Sequence, residues 1–303
     1  MPTTAGRVRI RPETLVRELD RLIAEVAGSV DRAIDRPHPS PESLHQLHRE
    51  MRRLRHALAI WEDVLPDRQR QMIQPLARRL KRLARMIGRV RDRDVVLALL
   101  EGPSLPSPER ADAPRVARLR ARLRDDARTG RELVRVFLRS ERDGHLFEGL
   151  RESLELPPRR RLRSDLQRVL DEEQERRHER VRTAHKDARH RPSSTRLHRL
   201  RIRVRQLRHL TEVRTRIDGK SLGRIPSTVR RLQRELGRLH DLDVVLAELD
   251  PELGGTAWAR ALRSERRAVR DSVRKAIRTE RWPDLPLVAP APDRPPATAR
   301  LAS

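Results

Sequence analysis

The chain has 303 residues and carries 70 Lys+Arg against 44 Asp+Glu, a net charge of +26 that points to a polyanionic partner or an anionic surface. The absence of cysteine excludes disulfides, thiolate metal sites and cysteine nucleophiles. Three Trp, two Phe and no Tyr leave few aromatic platforms for stacking single-stranded bases.

Apolar residues recur at helical spacing and no segment alternates as a strand does, so the expected fold class is all-α. Gly- and Pro-rich breaks separate helices near 12–35, 41–65, 69–100, 114–155, 159–190, 194–217, 226–249 and 256–282, with Gly144 a candidate break in the fourth. Residues 1–11 are expected to form a flexible N-terminus and the Pro/Ala-rich stretch 284–303 a disordered tail. No apolar run approaches the roughly 18–20 residues of a membrane span. Met1 to Arg11 lacks the apolar stretch of a signal peptide, and the expected location is cytoplasmic.

An internal repeat organises the chain. Leu44-His45-Gln46-Leu47 is matched by Leu197-His198-Arg199-Leu200, and at the same offset Arg52, Leu54, Arg55 and His56 are matched by Arg205, Leu207, Arg208 and His209. Gly88-Arg89-Val90-Arg91-Asp92-Arg93-Asp94 pairs with Gly237-Arg238-Leu239-His240-Asp241-Leu242-Asp243, each followed by Val-Val-Leu-Ala. Leu138-Arg139-Ser140-Glu141-Arg142 against Ile277-Arg278-Thr279-Glu280-Arg281 is the third anchor, in the same order. The expected architecture is a duplicated four-helix unit: a first bundle over 12–156 and a second over 157–283, related by a pseudo-two-fold axis, with the junction at Pro157-Pro158.

Plotted at 100° per residue, the helix over 41–65 puts Leu44, Leu47, Met51, Leu54, Leu58 and Trp61 on one side. His45, His48, Arg49, Arg52 and His56 oppose them, with Arg55 at the edge. In the helix from 194, Leu197, Leu200, Val204 and Leu207 oppose His198, Arg201, Arg205 and His209, with Arg208 at the edge. The third helix of each unit adds a stripe, Arg78, Arg82, Arg85 and Arg89 in the first and Arg231, Arg234 and Arg238 in the second. Like charges at i, i+4 cost a helix a few tenths of a kcal/mol per pair. Guanidinium forks, however, bind phosphate oxygens bidentately, and a line of them releases counterions from a phosphate chain. For any single arginine in so arginine-rich a chain, a solvated face is as good a reading as a binding role; the repetition of His with Arg favours function.

No catalytic residue is assigned. Asp92, Asp94, Asp241 and Asp243 recur as pairs, and helix capping or orientation of nearby arginines suits them better than acid/base chemistry. His45 and His48 have metal-compatible spacing, but no carboxylate joins them on that face, so no metal is assigned and no cofactor expected. No Walker loop, nucleophile elbow, zinc signature or dinucleotide glycine motif is present.

The His45-Gln46-Leu47-His48 segment running into Arg52-Arg53-Leu54-Arg55, its partner His198-Arg199-Leu200-Arg201 running into Arg205-Gln206-Leu207-Arg208, and the Leu-Gly-Arg-Leu-His-Asp-Leu-Asp run at 236–243 resemble the CHAD family, the conserved histidine α-helical domain. The resemblance covers roughly 12–285. It implies two four-helix bundles around a basic central pore, binding of inorganic polyphosphate and association with polyphosphate granules. Carried over by position, the family histidines fall on His45 and His198, and the pore positions on Arg52, Arg53, Arg55, Arg205 and Arg208 and on the two stripes. Where the family usually has Arg three residues after the histidine, the second unit has Arg201 but the first has His48, with Arg49 adjacent. The Glu-x-Glu-x-Lys signature of a companion triphosphatase domain is missing, so the resemblance implies no hydrolase.

Non-enzymatic polyphosphate binding is therefore the leading expectation. A weak, non-specific DNA- or RNA-binding protein is the alternative, resting on net charge alone. A polyphosphate-processing enzyme rests only on the aspartate pairs. No membrane partner is expected, and the sequence assigns no oligomeric state.

Overall fold

The structure, a computed structural model, describes residues 11–36, 38–102, 107–154, 166–218 and 227–279. Among these residues run nine helices and no strand: α1 (Pro12–Asp35), α2 (Pro41–Val64), α3 (Asp67–Glu101), α4 (Ala113–Asp143), α5 (Leu146–Glu152), α6 (Leu166–His190), α7 (Ser194–Asp218), α8 (Ser227–Leu253) and α9 (Ala257–Thr279). The expected tail, the junction at Pro157-Pro158 and nearly all of the expected flexible N-terminus lie outside the described residues, as do 159–165 and 280–282 of the expected helices.

The start of α2 shows how local chemistry sets an element. Ser40 is its N-cap and accepts a hydrogen bond from the Ser43 backbone N at 3.2 Å, and Pro41 follows with its φ already helical. The expected fourth helix divides at Gly144 into α4 and α5. His145 turns the chain there with φ 52°, in the left-handed region. Arg79 Nη2 reaches the Gly144 carbonyl at 3.1 Å, and a Cβ at this position would lie 2.7 Å from that nitrogen, so a larger residue would push the guanidinium aside. Arg79 Nε also pairs with Glu141 at 2.7 Å, tying α3 to the end of α4.

Helices α1 to α4 pack in a closed ring, with contacts between α1 and α2, α2 and α3, α3 and α4, and α4 and α1; α6 to α9 close in the same order. The two rings meet where α2 packs on α7 and α3 on α8. Three apolar cores hold this arrangement. The first fills the ring of α1 to α4 and reaches across to Leu210, Val213 and Ile217 of α7 and to Leu166, Val169 and Leu170 of α6. The second lies wholly within α6 to α9. The third joins Val96 and Leu100 of α3 and Leu119 of α4 to Leu242, Val245, Leu249, Trp258 and Leu262 of α8 and α9. Apolar contact thus clamps the two rings at both ends of their seam. The middle of the seam is left to polar side chains.

Candidate functional site

The apolar stripe of α2 is fully used: Leu44, Leu47, Met51, Leu54, Leu58 and Trp61 are buried in the first core. Leu197, Leu200, Val204 and Leu207 of α7 are buried in the second core. Because these stripes turn inward to their own rings, the opposite faces of α2 and α7 confront each other. His56 stacks on His209 with ring centroids 5.2 Å apart and planes at 28°. Between α7 and α8, His198 meets His240 at 4.9 Å.

Five arginines from three helices share this seam. Burial pushes Arg52 down to about 9, and the positive charges of Arg205, Arg91, Arg208 and Arg201 push the same way. Arg205 falls to about 10, first through burial, then through Arg201, Arg91 and Arg208. Depression of a guanidinium is a sign of charge held out of water without adequate neutralisation. The Nε–H groups of Arg52, Arg91 and Arg201 are buried with no hydrogen-bond acceptor. Two carboxylates offer partial relief. Arg91 Nη1 lies 3.2 Å from Asp92 Oδ1, and Asp241 attracts both Arg201 and Arg91. Burial raises the Asp241 pKa, with a further push from Asp92, against the pull of those arginines. Arg208 lies 3.3 Å from Glu212 and donates to Gln233 at 3.3 Å.

The histidines respond to the same field. His48 is pushed down to about 3 by burial and then by Arg52, Arg91 and Arg205. His240 falls to about 4 through burial, then Arg201 and His198. His56 falls to about 2 through burial and its partner His209. His45 and His198 are lowered too, first by burial and then by neighbouring arginines. These rings are neutral near pH 7 and able to accept a proton when an anion cancels the surrounding charge.

The expected site residues divide into groups. His48, Arg52, Arg201, Arg205 and Arg208 come together, with His45 and His198 at the margin. Arg53 acts on Glu212, whose carboxyl is held down by His209, Arg208 and Arg53 against the effect of burial. Arg49 is exposed and bonds to Gln46. Arg55 turns toward Arg85 of α3 and, with Arg78 and Lys81, lines a separate cleft of about 330 Å³ between α2 and α3. Arg82 and Arg89 are exposed on α3, as are Arg231 and Arg234 on α8. Arg238 is paired with Glu265 of α9, away from the seam.

Two members of the cluster escaped the sequence reading, Arg91 and His240. They hold one position of the repeat, three residues after Gly88 and Gly237, and that register was the available signal. The arginine stripes of α3 and α8 are the louder pattern and obscured it. Their identities resolve the departure at His48. A Cβ at Gly88 would sit 3.4 Å from His48 Nε2, so glycine lets this histidine settle against α3. The missing cation comes from Arg91. One half thus places histidine on α2 and arginine on α3, and the other places arginine (Arg201) on α7 and histidine (His240) on α8.

The remaining aspartates have a structural task. Asp94 pairs with Arg131 of α4, and Asp243 with Arg266 of α9. Each anchors the last helix of its ring. Among the described residues no cluster of three or more His, Asp and Glu is placed to hold a metal ion, and no helix is long and apolar enough to cross a membrane.

Fold and site define an all-helical protein whose two helix rings meet at a half-buried cluster of largely unpaired arginines. A family model for the CHAD domain matches residues 17–249 and 213–300, and the chain belongs to the CHAD domain family. Its fold is similar to that of the CHAD domain from the plant Ricinus communis, with a TM-score of 0.59 and 20% sequence identity over 91% of this chain and 98% of that one. It is also similar to PptA from Streptomyces chartreusis, with a TM-score of 0.55 and 15% identity over 88% and 97% of the two chains. No curated protein matches the chain.

Proposed function

We propose that the chain binds inorganic polyphosphate in a basic central channel and holds it without chemical turnover. The observation that carries this reading is the set of buried, acceptor-less Nε–H groups on Arg52, Arg91 and Arg201. A buried donor without a partner is costly, and a phosphate chain supplies a charged acceptor at every repeat. Membership of the CHAD family supports the reading. The channel rests on a duplicated four-helix unit, α1 to α4 and α6 to α9, with a pseudo-two-fold axis along the seam. The pairing of α2 with α7 and of α3 with α8, each the repeat counterpart of the other, supports that symmetry. Binding to polyphosphate granules in the cell follows from the same affinity.

The test is a competition titration near physiological ionic strength, with labelled long-chain polyphosphate against triphosphate, heparin and duplex DNA. Selective retention of long polyphosphate is the expected result. Equal displacement by every polyanion would reduce the channel to a basic surface. Steady release of phosphate in the presence of Mg²⁺, abolished by Asp92→Asn with Asp241→Asn, would replace a holding role with an enzymatic one.

A further inference from the structure

Beyond the seam lies a second concentration of arginine. A cleft of about 490 Å³ opens between α8 and α9, lined by Asp243, Leu246 and Ala247 on one side and by Arg263, Arg266, Arg267 and Arg270 on the other. The four arginines follow one another at i, i+3, i+4 and i+7, so α9 presents them as one stripe. Arg266 is held by Asp243 and by Ser194 Oγ at 2.8 Å, and Arg263 donates to the Gly254 carbonyl at 2.6 Å. Arg267 and Arg270 have no ion pair or hydrogen bond among the described residues, and Arg270 Nε is buried without an acceptor.

The repeat supplies a control within the molecule. At the offset that matches Leu138 to Ile277, the α4 counterparts of Arg263, Arg267 and Arg270 are Arg124, Arg128 and Arg131. Each of those has an acid: Glu101 at 2.6 Å, Asp125 at 3.3 Å and Asp94. The counterpart of Asp125 is Ser264, which leaves Arg267 without its neighbour. The acids that serve Arg128 and Arg131 on α4 thus have no counterpart pairing with Arg267 and Arg270 on α9, where Asp243 pairs with Arg266 instead. The cleft also adjoins the seam: Asp243 acts electrostatically on His198, which packs against His240 beside Arg201.

We propose that the α8–α9 cleft is a second subsite for a phosphate chain, in which Arg267 and Arg270 bind phosphates of a chain already engaged at the seam, past His198 and His240. The inference rests on the polyphosphate reading above and adds to it a chain-length requirement. Triphosphate fills the seam alone, whereas a long chain occupies both sites.

The experiment compares triphosphate and long-chain polyphosphate binding to the full chain carrying Arg267→Ala with Arg270→Ala. Long-chain affinity should fall about tenfold, and its dependence on salt should weaken by about two released ions, one for each phosphate that the variant no longer holds. Triphosphate affinity should stay within about twofold. Ser264→Asp, which restores the acid without removing an arginine, should weaken long-chain binding alone. A control variant, Arg176→Ala with Arg180→Ala on α6, removes the same charge elsewhere. An equal loss in that control, or an unchanged long-chain affinity in the α9 variant, would overturn the subsite. Failure of the seam is read separately: unchanged triphosphate binding in Arg52→Ala with Arg205→Ala would refute the central reading, whatever the α9 variants do.

Discussion

Helix α6 and the seam between α2 and α7 are both rich in arginine, yet they treat it in opposite ways. On α6, Arg176 and Arg177 share Glu173 at 3.2 and 2.6 Å, and Arg182 takes Glu175 and Glu179 at 2.6 and 2.8 Å. These are pairs within about two helical turns, ordinary supports of a charged helix worth a few tenths of a kcal/mol each. At the seam, Arg52, Arg91, Arg201 and Arg205 face one another with only Asp92 and Asp241 among them. The number of arginines does not separate structure from site in this chain. Between these two regions, what differs is the supply of acids within reach.

The sharpest way to break that comparison is to remove charge from each region and measure binding. Arg52→Ala with Arg205→Ala should weaken polyphosphate binding by about 100-fold or more, since each charge-assisted hydrogen bond removed is worth about 1.5–3 kcal/mol. Arg176→Ala with Arg182→Ala on α6 should change it by less than about threefold, through net charge alone. Fluorescence anisotropy with a labelled chain reads both. Similar losses in the two variants would erase the distinction.

Acid should expose the difference next. His48, His56 and His240 titrate at about 3, 2 and 4 in the folded protein, well below the ordinary histidine value. The unfolded chain therefore takes up protons first as pH falls through about 6.5, and stability is drained toward the unfolded state. Each histidine contributes at most about 1.4 kcal/mol per pH unit, less whatever solvent screens. The Tm of the polyanion-free protein should thus be full above pH 7 and fall progressively from pH 6.5 to 4. A bound phosphate chain favours the same protons, so polyphosphate should restore much of the loss, and its affinity should rise as pH drops. Calorimetry in buffers of different ionisation enthalpy would register the proton uptake. A Tm flat over that range would deny that these rings are buried as neutral groups.

Much of this was legible in the sequence, for physical reasons particular to each feature. The α2 and α7 faces separate apolar from basic at helical period, so Arg52, Arg201 and Arg205 could be placed beside the histidines without coordinates. The stripes on α3 and α8 could not be placed in the same way. A single-helix projection shows that Arg238 opposes Leu236 and Leu239, but not that Glu265 of another helix lies opposite it. Arg91 is the converse case. It stands within a run whose aspartates read as caps or as partners of nearby arginines, and only the packing of α3 on α2 brings it to Arg52. The cores were hidden too: sequence suggests one per bundle, whereas Leu210 and Val213 of α7 complete the core of the other ring. Pairings between helices distant in sequence are set by packing, which period alone does not encode.

Stability without ligand should move opposite to binding. Arg52→Leu removes a half-buried cation from like-charged neighbours and leaves no donor unsatisfied. It should raise the polyanion-free Tm by about 2 °C or more, the shift expected for roughly 1 kcal/mol in a chain of this size, while weakening binding. The paired Arg177 of α6 is buried and bonds both Glu173 and the Gln206 carbonyl at 2.8 Å, so Arg177→Leu should lower Tm instead. Thermal melts of the two variants side by side test the contrast. A loss of Tm in both would mean that the seam arginines are held by contacts as good as those of α6.

The smallest effect concerns the two acids of the seam. Asp92 and Asp241 attract the arginines that a phosphate chain would engage, and Asp241 is itself raised by burial and by Asp92. They act as internal stand-ins for a bound anion: close enough to moderate the repulsion, too few to cancel it. Replacing Asp241 with Asn keeps the volume and removes the competing charge. Polyphosphate affinity should then tighten by about twofold to tenfold, matching a coupling of roughly 0.5–1.4 kcal/mol for one partly solvated charge. The anion-free protein should lose Tm, because the cluster becomes more strongly self-repelling. Both changes have the same origin, so their sizes should scale together across Asp92→Asn, Asp241→Asn and the double variant. Weaker binding from Asp241→Asn would instead show that this carboxylate positions Arg201 and Arg91 for the chain. The seam would then resemble α6 more closely than the unpaired guanidinium groups suggest.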